Sequence, residues 1–155
     1  MKISLLQLRN MTVLEYYKKA LKGIFIKEGI DSVHTYYSGS SDNGYLEGFQ
    51  SNADVNFQVL VDVWKFHTFA GTSSTLIGNL KDWQGTPVVL TKHKVSLDDF
   101  LRSFADVLIN TNFPGYGNDE GADGSITIKL VGNNLTISLE HTHYTRDSHY
   151  SSLTF

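Results

Sequence analysis

Two histidines late in the chain are the residues best spaced for chemistry. His141 and His143 lie in the segment Glu140-His-Thr-His-Tyr144. In a strand, residues i and i+2 point to the same face, so both imidazoles share a face, as they do in strand-borne metal sites. The same parity continues an aliphatic face over residues 135–139. The pair therefore predicts either a metal site or a polar end of the core, hydrogen-bonded to tyrosines.

A second polar segment, residues 115–124, is acidic and punctuated by glycine, and contains Tyr116, Asp119 and Glu120. Aligned with the calcium loop of an EF-hand, it lacks an oxygen ligand at the third position and a bidentate Glu at the twelfth. The EF-hand is therefore excluded. A glycine-rich turn carrying solvated acids is the favoured interpretation, with Asp119 and Glu120 as binding candidates.

A third polar segment runs from Tyr37 to Glu47 and is rich in Gly and Ser. It contains neither a phosphate-binding glycine loop that opens a helix nor the G-x-S-x-G elbow of a serine hydrolase. Asn43-Gly44 suits positive φ, which predicts a hairpin turn there. Asp42 is the candidate binding acid of this segment.

The candidate binding residues all lie in these three segments. They are Tyr37, Asp42, Asn43, Gly44, Tyr116, Asp119, Glu120, His141, His143 and Tyr144. No spacing identifies a catalytic nucleophile with its base, so no catalytic residue, assigned metal ligand or cofactor is expected. Tyrosine is favoured at protein interfaces because it buries a large area and keeps a polar group.

Composition narrows the class of partner. The chain of 155 residues has no cysteine and a formal net charge of −3. Absent cysteine excludes disulfides, zinc–thiolate sites and iron–sulfur clusters. The small negative charge does not favour nucleic acid or an anionic membrane. A protein partner is expected first and a small ligand second, with no prediction of oligomeric state.

Two helices are predicted from capping and periodicity. Thr12 and Glu15 form a capping box for a helix that ends at Gly29. Ser96 caps a second helix that ends near Pro114. Its apolar stripe comprises Leu97, Phe100, Leu101, Phe104, Ala105, Leu108 and Ile109.

Strands account for most of the rest. The predicted ranges are 32–37, 45–49, an alternating run over 55–63, 87–95, and a hairpin of 125–131 with 135–144. Residues 71–86 fit either a short helix or a packed loop. We therefore predict one α+β domain over 1–155, with a mainly antiparallel sheet and two principal helices on one face. The N-terminal residues lack a secretory signal, so a cytoplasmic location is expected.

Two of the polar segments resemble a family. The Tyr37-x-Gly39-x-x-Asp42-x-Gly44-x-Leu46-Glu47 pattern resembles the Y-x-G-x-G-D-S-G-x-I-E loop of a family of small bacterial and mobile-element proteins. Gly115-Tyr116-x-x-Asp119-x-Gly121-x-x-Gly124, followed by Glu140-His141, resembles that family's later G-W-E-x-N-x-G-x-x-G and strand-D-H elements. The resemblance implies that the two loops and His141 assemble at one place, and it implies no activity.

The expected function is that of a small non-enzymatic binding protein. A regulator, immunity protein or inhibitor in a phage, plasmid or defence setting is the leading hypothesis. One alternative is a metal-dependent hydrolase or nuclease, in which His141 and His143 bind the metal with Asp42 or Glu120. The other is a sensor of a small, nucleotide-like ligand.

Overall fold

The computed structural model describes residues 13–40, 43–51, 53–68, 73–74, 88–113, 121–143 and 149–155. Within these ranges the fold is α+β, as predicted from the sequence. The helices are α1 (Val13–Glu28) and α2 (Leu97–Asn112). The strands are β1 (Ser32–Ser40), β2 (Asn43–Leu46), β3 (Leu60–Thr68), β4 (Ser73–Ser74), β5 (Val88–Ser96), β6 (Ala122–Val131), β7 (Asn134–His143) and β8 (His149–Thr154).

The end of α1 and the beginning of α2 lie where their sequence signals predict. Gly29 follows α1 with a φ of 67°, a conformation that glycine adopts without steric cost. Ser96 caps α2, where its hydroxyl accepts a 3.1 Å hydrogen bond from the Asp99 amide. All seven residues of the predicted α2 stripe are buried. Thr12, the predicted cap of α1, lies outside the described residues.

The larger sheet has five antiparallel strands in the order β2-β1-β6-β7-β8. The predicted β6–β7 hairpin is present and turns at Gly132 and Asn133, with a φ of 62° at Gly132. Asn134, which the predicted strand ranges left in the turn, is the first residue of β7. Aliphatic residues of β6 and β7 face the same side and pair directly, Ile126 with Leu139 and Ile128 with Ile137. These four side chains are fully buried.

A second sheet has three strands in the order β4-β3-β5. Part of the predicted run over 55–63 was wrong, because β3 begins only at Leu60. The preceding residues form a turn instead, in which the Asn56 side chain accepts a 3.0 Å hydrogen bond from the Gln58 amide. Such local side-chain bonds compete with strand pairing. Of the ambiguous residues 71–86, only 73–74 are described, and they form β4.

The turn of the first hairpin also differs from the prediction. Asn43 and Gly44 lie in β2 and pair with Ser40 and Gly39, so the connection is shorter than the sequence indicated. Strand β8 was not predicted. It adds to β7 at the edge of the larger sheet, with Ser151 opposite His141.

The helices cover the buried face and connect it to the second sheet. Helix α1 packs against β7 and α2, and α2 packs against β3 and β5. The Tyr17 ring lies between Phe100 and Phe104 of α2, with ring centroids 5.0 and 5.3 Å away. Buried residues from both helices and both sheets form one core cluster. The domain assignment over 1–155 stays a prediction.

Candidate functional site

The three polar segments attach to the same end of the five-stranded sheet. Strand register places Gly39, Ala122, His143 and His149 side by side on β1, β6, β7 and β8. The described strands begin or end at or near this row, at Ser40, Ala122, His143 and His149. We call this row and the next row on the same face, Tyr37–Gly124–His141, the loop end of the sheet. The topology therefore brings the points of attachment of the three polar segments to one end of the sheet, and their meeting stays a prediction.

A buried hydrogen bond joins two of the predicted site residues at the loop end. The Tyr37 hydroxyl lies 2.6 Å from Nδ1 of His141, although the two residues are 104 positions apart in sequence. Tyr37 is 3% exposed and His141 is 2% exposed. These two side chains therefore support the site from inside and do not themselves form an exposed contact surface.

Gly124 makes this hydrogen bond sterically feasible. It lies on β6 between the strands of Tyr37 and His141, in the same cross-strand row. A Cβ atom at position 124 would overlap the ring and hydroxyl of Tyr37 and the backbone carbonyl of Glu140. Glycine inside a strand often marks such a close approach. The missing side chain lets the tyrosine lie across β6 and reach the histidine.

An aromatic stack fixes the His141 ring from the helix side. Phe113, the C-cap residue of α2, stacks on it with ring centroids 3.7 Å apart and an interplanar angle of 7°. His143 lies 6.2 Å away, with its ring at 21° to that of His141. The two histidines therefore share a face, as the sequence predicts. Tyr37 and Phe113 leave the His141 ring little freedom to rotate.

The second nitrogen of the same ring, Nε2 of His141, is buried and has no hydrogen-bond partner within the described part of the chain. Burial lowers the pKa of His141 below its usual value, and the nearby His143 lowers it further. The lowered pKa favours the neutral ring near pH 7, with Nδ1 bonded to the Tyr37 hydroxyl.

The structure describes only part of the predicted site. Tyr37, His141 and His143 come together at the loop end, and Asn43 and Gly44 lie in β2, which pairs with the last residues of β1. The other five predicted site residues lie outside the described residues. These are Asp42, Tyr116, Asp119, Glu120 and Tyr144.

Sequence reasoning missed two residues of the site. Gly124 interrupts an otherwise apolar face of β6, and a glycine in a strand pattern is a usable signal of close backbone approach. Phe113 gave no comparable signal, because its contact with His141 depends on how α2 packs against the sheet. No local pattern encodes that packing.

No protein-family model, curated protein or solved structure matches this chain. Across the described ranges, no three His, Cys, Asp or Glu side chains form a group that could hold a metal ion. The helices among those residues are all too short or too polar to cross a bilayer.

Proposed function

We propose that the protein is a non-enzymatic binding protein that takes up a protein partner at the loop end of its five-stranded sheet. The observation that carries this proposal is that the strands adjoining the three polar segments begin or end at the same end of the sheet as the Tyr37–His141 hydrogen bond. Binding residues commonly lie on loops that a rigid scaffold positions. A role as regulator, immunity protein or inhibitor, a phage or plasmid setting, and a cytoplasmic location belong to the same proposal.

The buried hydrogen bond supplies the rigidity that such a surface needs. Tyr37 connects β1 to β7 across Gly124, and Phe113 connects the end of α2 to the same histidine. The ends of two strands and one helix are thereby fixed relative to one another. A surface arranged before binding loses less conformational entropy when the partner binds. In this proposal Tyr37 and His141 position the contact residues and do not touch the partner.

Affinity capture with matched variants tests the proposal. One variant replaces Asp42, Tyr116, Glu120 and Tyr144 with alanine at the loop end. Its control replaces Lys129, Val131, Asn133 and Asn134 with alanine at the opposite end of the β6–β7 hairpin. We expect a partner that wild type and control retain and the loop-end variant loses. A partner retained by all three proteins would contradict the proposed surface.

Nε2 of His141 has no hydrogen-bond partner among the described residues, which favours a second candidate, the metal-dependent hydrolase or nuclease. Metal-binding histidines usually have their other nitrogen held by a second residue, as Tyr37 holds Nδ1 here. His143 is the nearest further imidazole. The remaining ligands would come from Asp42 or Glu120, which lie outside the described residues.

Elemental analysis and metal titration separate the two candidates. The protein is purified without a histidine tag and titrated with Zn²⁺, Mn²⁺ and Mg²⁺ while its melting temperature is followed. A bound metal, or a thermal shift that His141→Phe abolishes, supports the hydrolase. No bound metal and no shift would retire this candidate and leave the binding proposal unaffected.

A further inference from the structure

The outer edge of β8 supports an inference that does not depend on the contact between Tyr37 and His141. Strand β8 is the last strand of the five-stranded sheet and pairs on one side with β7. We propose that this edge pairs with the same edge of a second copy of the chain, which joins two five-stranded sheets into one continuous sheet.

Within the described part of the chain, the backbone hydrogen-bond pattern leaves three residues of β8 unpaired on this edge. Phe155 and Ile137 exchange both of their backbone bonds, at 2.7 and 3.0 Å. In an antiparallel pair such residues alternate with residues whose amide and carbonyl groups point away from the partner strand. Tyr150, Ser152 and Thr154 are the alternate residues of β8. Their three N–H and three C=O groups therefore point outward from the sheet.

Among the described residues, the edges at β2 and β5 carry protective features that the edge at β8 lacks. Strand β2 spans only Asn43–Leu46, and Arg102 donates a 3.3 Å hydrogen bond to the Leu46 carbonyl. Strand β5 carries Lys92 and Lys94, the type of residue that discourages edge pairing. Strand β8 has neither a charged residue nor a proline over its six positions. Tyr150 on this strand is 64% exposed.

A second copy fits this edge because the strand is self-complementary. With Ser152 on a two-fold axis, Ser152 faces its own copy, and Tyr150 faces Thr154 of the other copy. All three outward residues then form hydrogen-bonded pairs, which gives six backbone bonds across the axis. Tyr150 opposite Thr154 is an aromatic–β-branched pair, which stabilises antiparallel strands.

On the opposite face, the pairing places each apolar side chain opposite a polar one. Leu153 and Phe155 are half-buried at the margin of the core. In the two-fold register, Leu153 lies opposite Ser151 of the second copy, and Phe155 lies opposite His149. Strand β8 contains no Asp, Glu, Lys or Arg, so no such side chains of like charge face each other across the axis. A single strand pair buries little area, so we expect a dimer that forms reversibly at concentrations of about 10–500 µM.

Sedimentation velocity over that concentration range, combined with amide hydrogen exchange, tests the pairing. We expect mass to rise toward the dimer, while the amides of Tyr150, Ser152 and Thr154 become more protected as concentration rises. The amides of Ser151 and Leu153 face β7 and should be protected throughout. A protein that stays monomeric, with freely exchanging amides at 150, 152 and 154, would overturn the proposal.

Two variants at Ser152 and one control make the test specific. Ser152→Pro removes an outward N–H without touching the bonds to β7, and Ser152→Lys places like charges on the axis. Both should reduce dimerisation at least about 10-fold, because the pairing loses bonds or gains repulsion. Ser138→Lys adds the same charge to the solvent face of β7 and should dimerise like wild type. Far-UV circular dichroism confirms that each variant is folded.

The behaviour of the two Ser152 variants decides whether the dimer forms through β8. A dimer that persists undiminished in folded Ser152→Pro and Ser152→Lys forms elsewhere and overturns the proposal. Loss of dimerisation in both variants, with normal partner capture at the loop end, supports the self-pairing edge. Because the two surfaces share no tested residue, failure of one proposal leaves the other standing.

Discussion

One face of the five-stranded sheet has two halves of different chemistry, although the same strands build both. In the aliphatic half, Ile126 pairs with Leu139 and Ile128 with Ile137, and all four are fully buried. Two positions beyond Ile126, on the same face, the pairing continues as Tyr37–Gly124–His141. The polar segments attach at this second half, whereas a two-residue turn closes the β6–β7 hairpin at the first.

The two halves are stabilised in different ways. Aliphatic packing is non-directional and tolerates changes of shape, provided that volume is conserved. The Tyr37–His141 hydrogen bond is directional, and its ring positions are set by Phe113 and by the absence of a side chain at Gly124. We infer that the aliphatic half contributes most of the folding stability. The polar half instead holds the ends of the strands at the loop end in fixed positions.

The largest expected effect is in the aliphatic half. Ile137→Ala removes a fully buried side chain and leaves a cavity, so the free energy of unfolding should fall by about 2–5 kcal/mol. Urea denaturation measures this loss. Where the variant remains folded, partner capture should match wild type. A loss below about 1 kcal/mol would remove the distinction between the halves.

Gly124→Ala should be next in size, and it acts on the polar half. The added Cβ meets the Tyr37 ring and the Glu140 carbonyl, and overpacking of this kind costs about 1–3 kcal/mol. Gly23→Ala in α1 is the matched control, because nothing lies within 4 Å of its Cβ position. The control should gain about 0.5–1 kcal/mol from helix propensity. Equal effects at the two glycines would show that Tyr37 does not cross position 124.

A double-mutant cycle measures the directional contact itself. Tyr37→Phe leaves Nδ1 of His141 without a partner, which costs about 1–3 kcal/mol. Combining it with His141→Phe replaces both polar groups, so the double variant should lose about 1–2 kcal/mol less than the sum of the single variants. Additive losses would mean that the hydrogen bond contributes nothing.

The smallest expected effect is the pH dependence that His141 causes. Its pKa in the folded state is lowered by burial and by His143, so the unfolded chain binds this proton more readily. Stability is therefore complete above the unfolded value of about 6.5 and falls as pH drops below it, by less than about 1.4 kcal/mol per pH unit. Thermal melts from pH 8 to pH 5 should show a steeper loss for wild type than for His141→Phe. Parallel profiles would contradict the assignment to His141.

The sequence predicted the local parts of this arrangement. Ser96 and the apolar stripe of α2 encode their helix, and Gly132 encodes the turn between β6 and β7, because neighbouring residues determine caps, stripes and tight turns. The alternation from Leu135 to His141 also placed the histidine on the core-facing side of β7. These features depend on contacts between residues close in sequence.

The parts that could not be predicted depend on distant contacts. Tyr37 and His141 meet only because β6 inserts between β1 and β7, and strand order cannot be read from periodicity. Strand β8 is short and mixed in polarity, so its pairing with β7 gave little signal. The run over 55–59 alternates like a strand, but the Asn56–Gln58 turn prevails.

Imidazole NMR of His141, in wild type and in Tyr37→Phe, shows whether a buried, neutral His141 bonded to Tyr37 positions the loop end. We expect this ring to stay neutral down to a pH below about 6.5, and Tyr37→Phe to change the Nδ1 resonance of His141 selectively. A His141 that titrates at or above that value, with an Nδ1 resonance that Tyr37→Phe leaves unchanged, would show that Tyr37 does not hold a neutral His141.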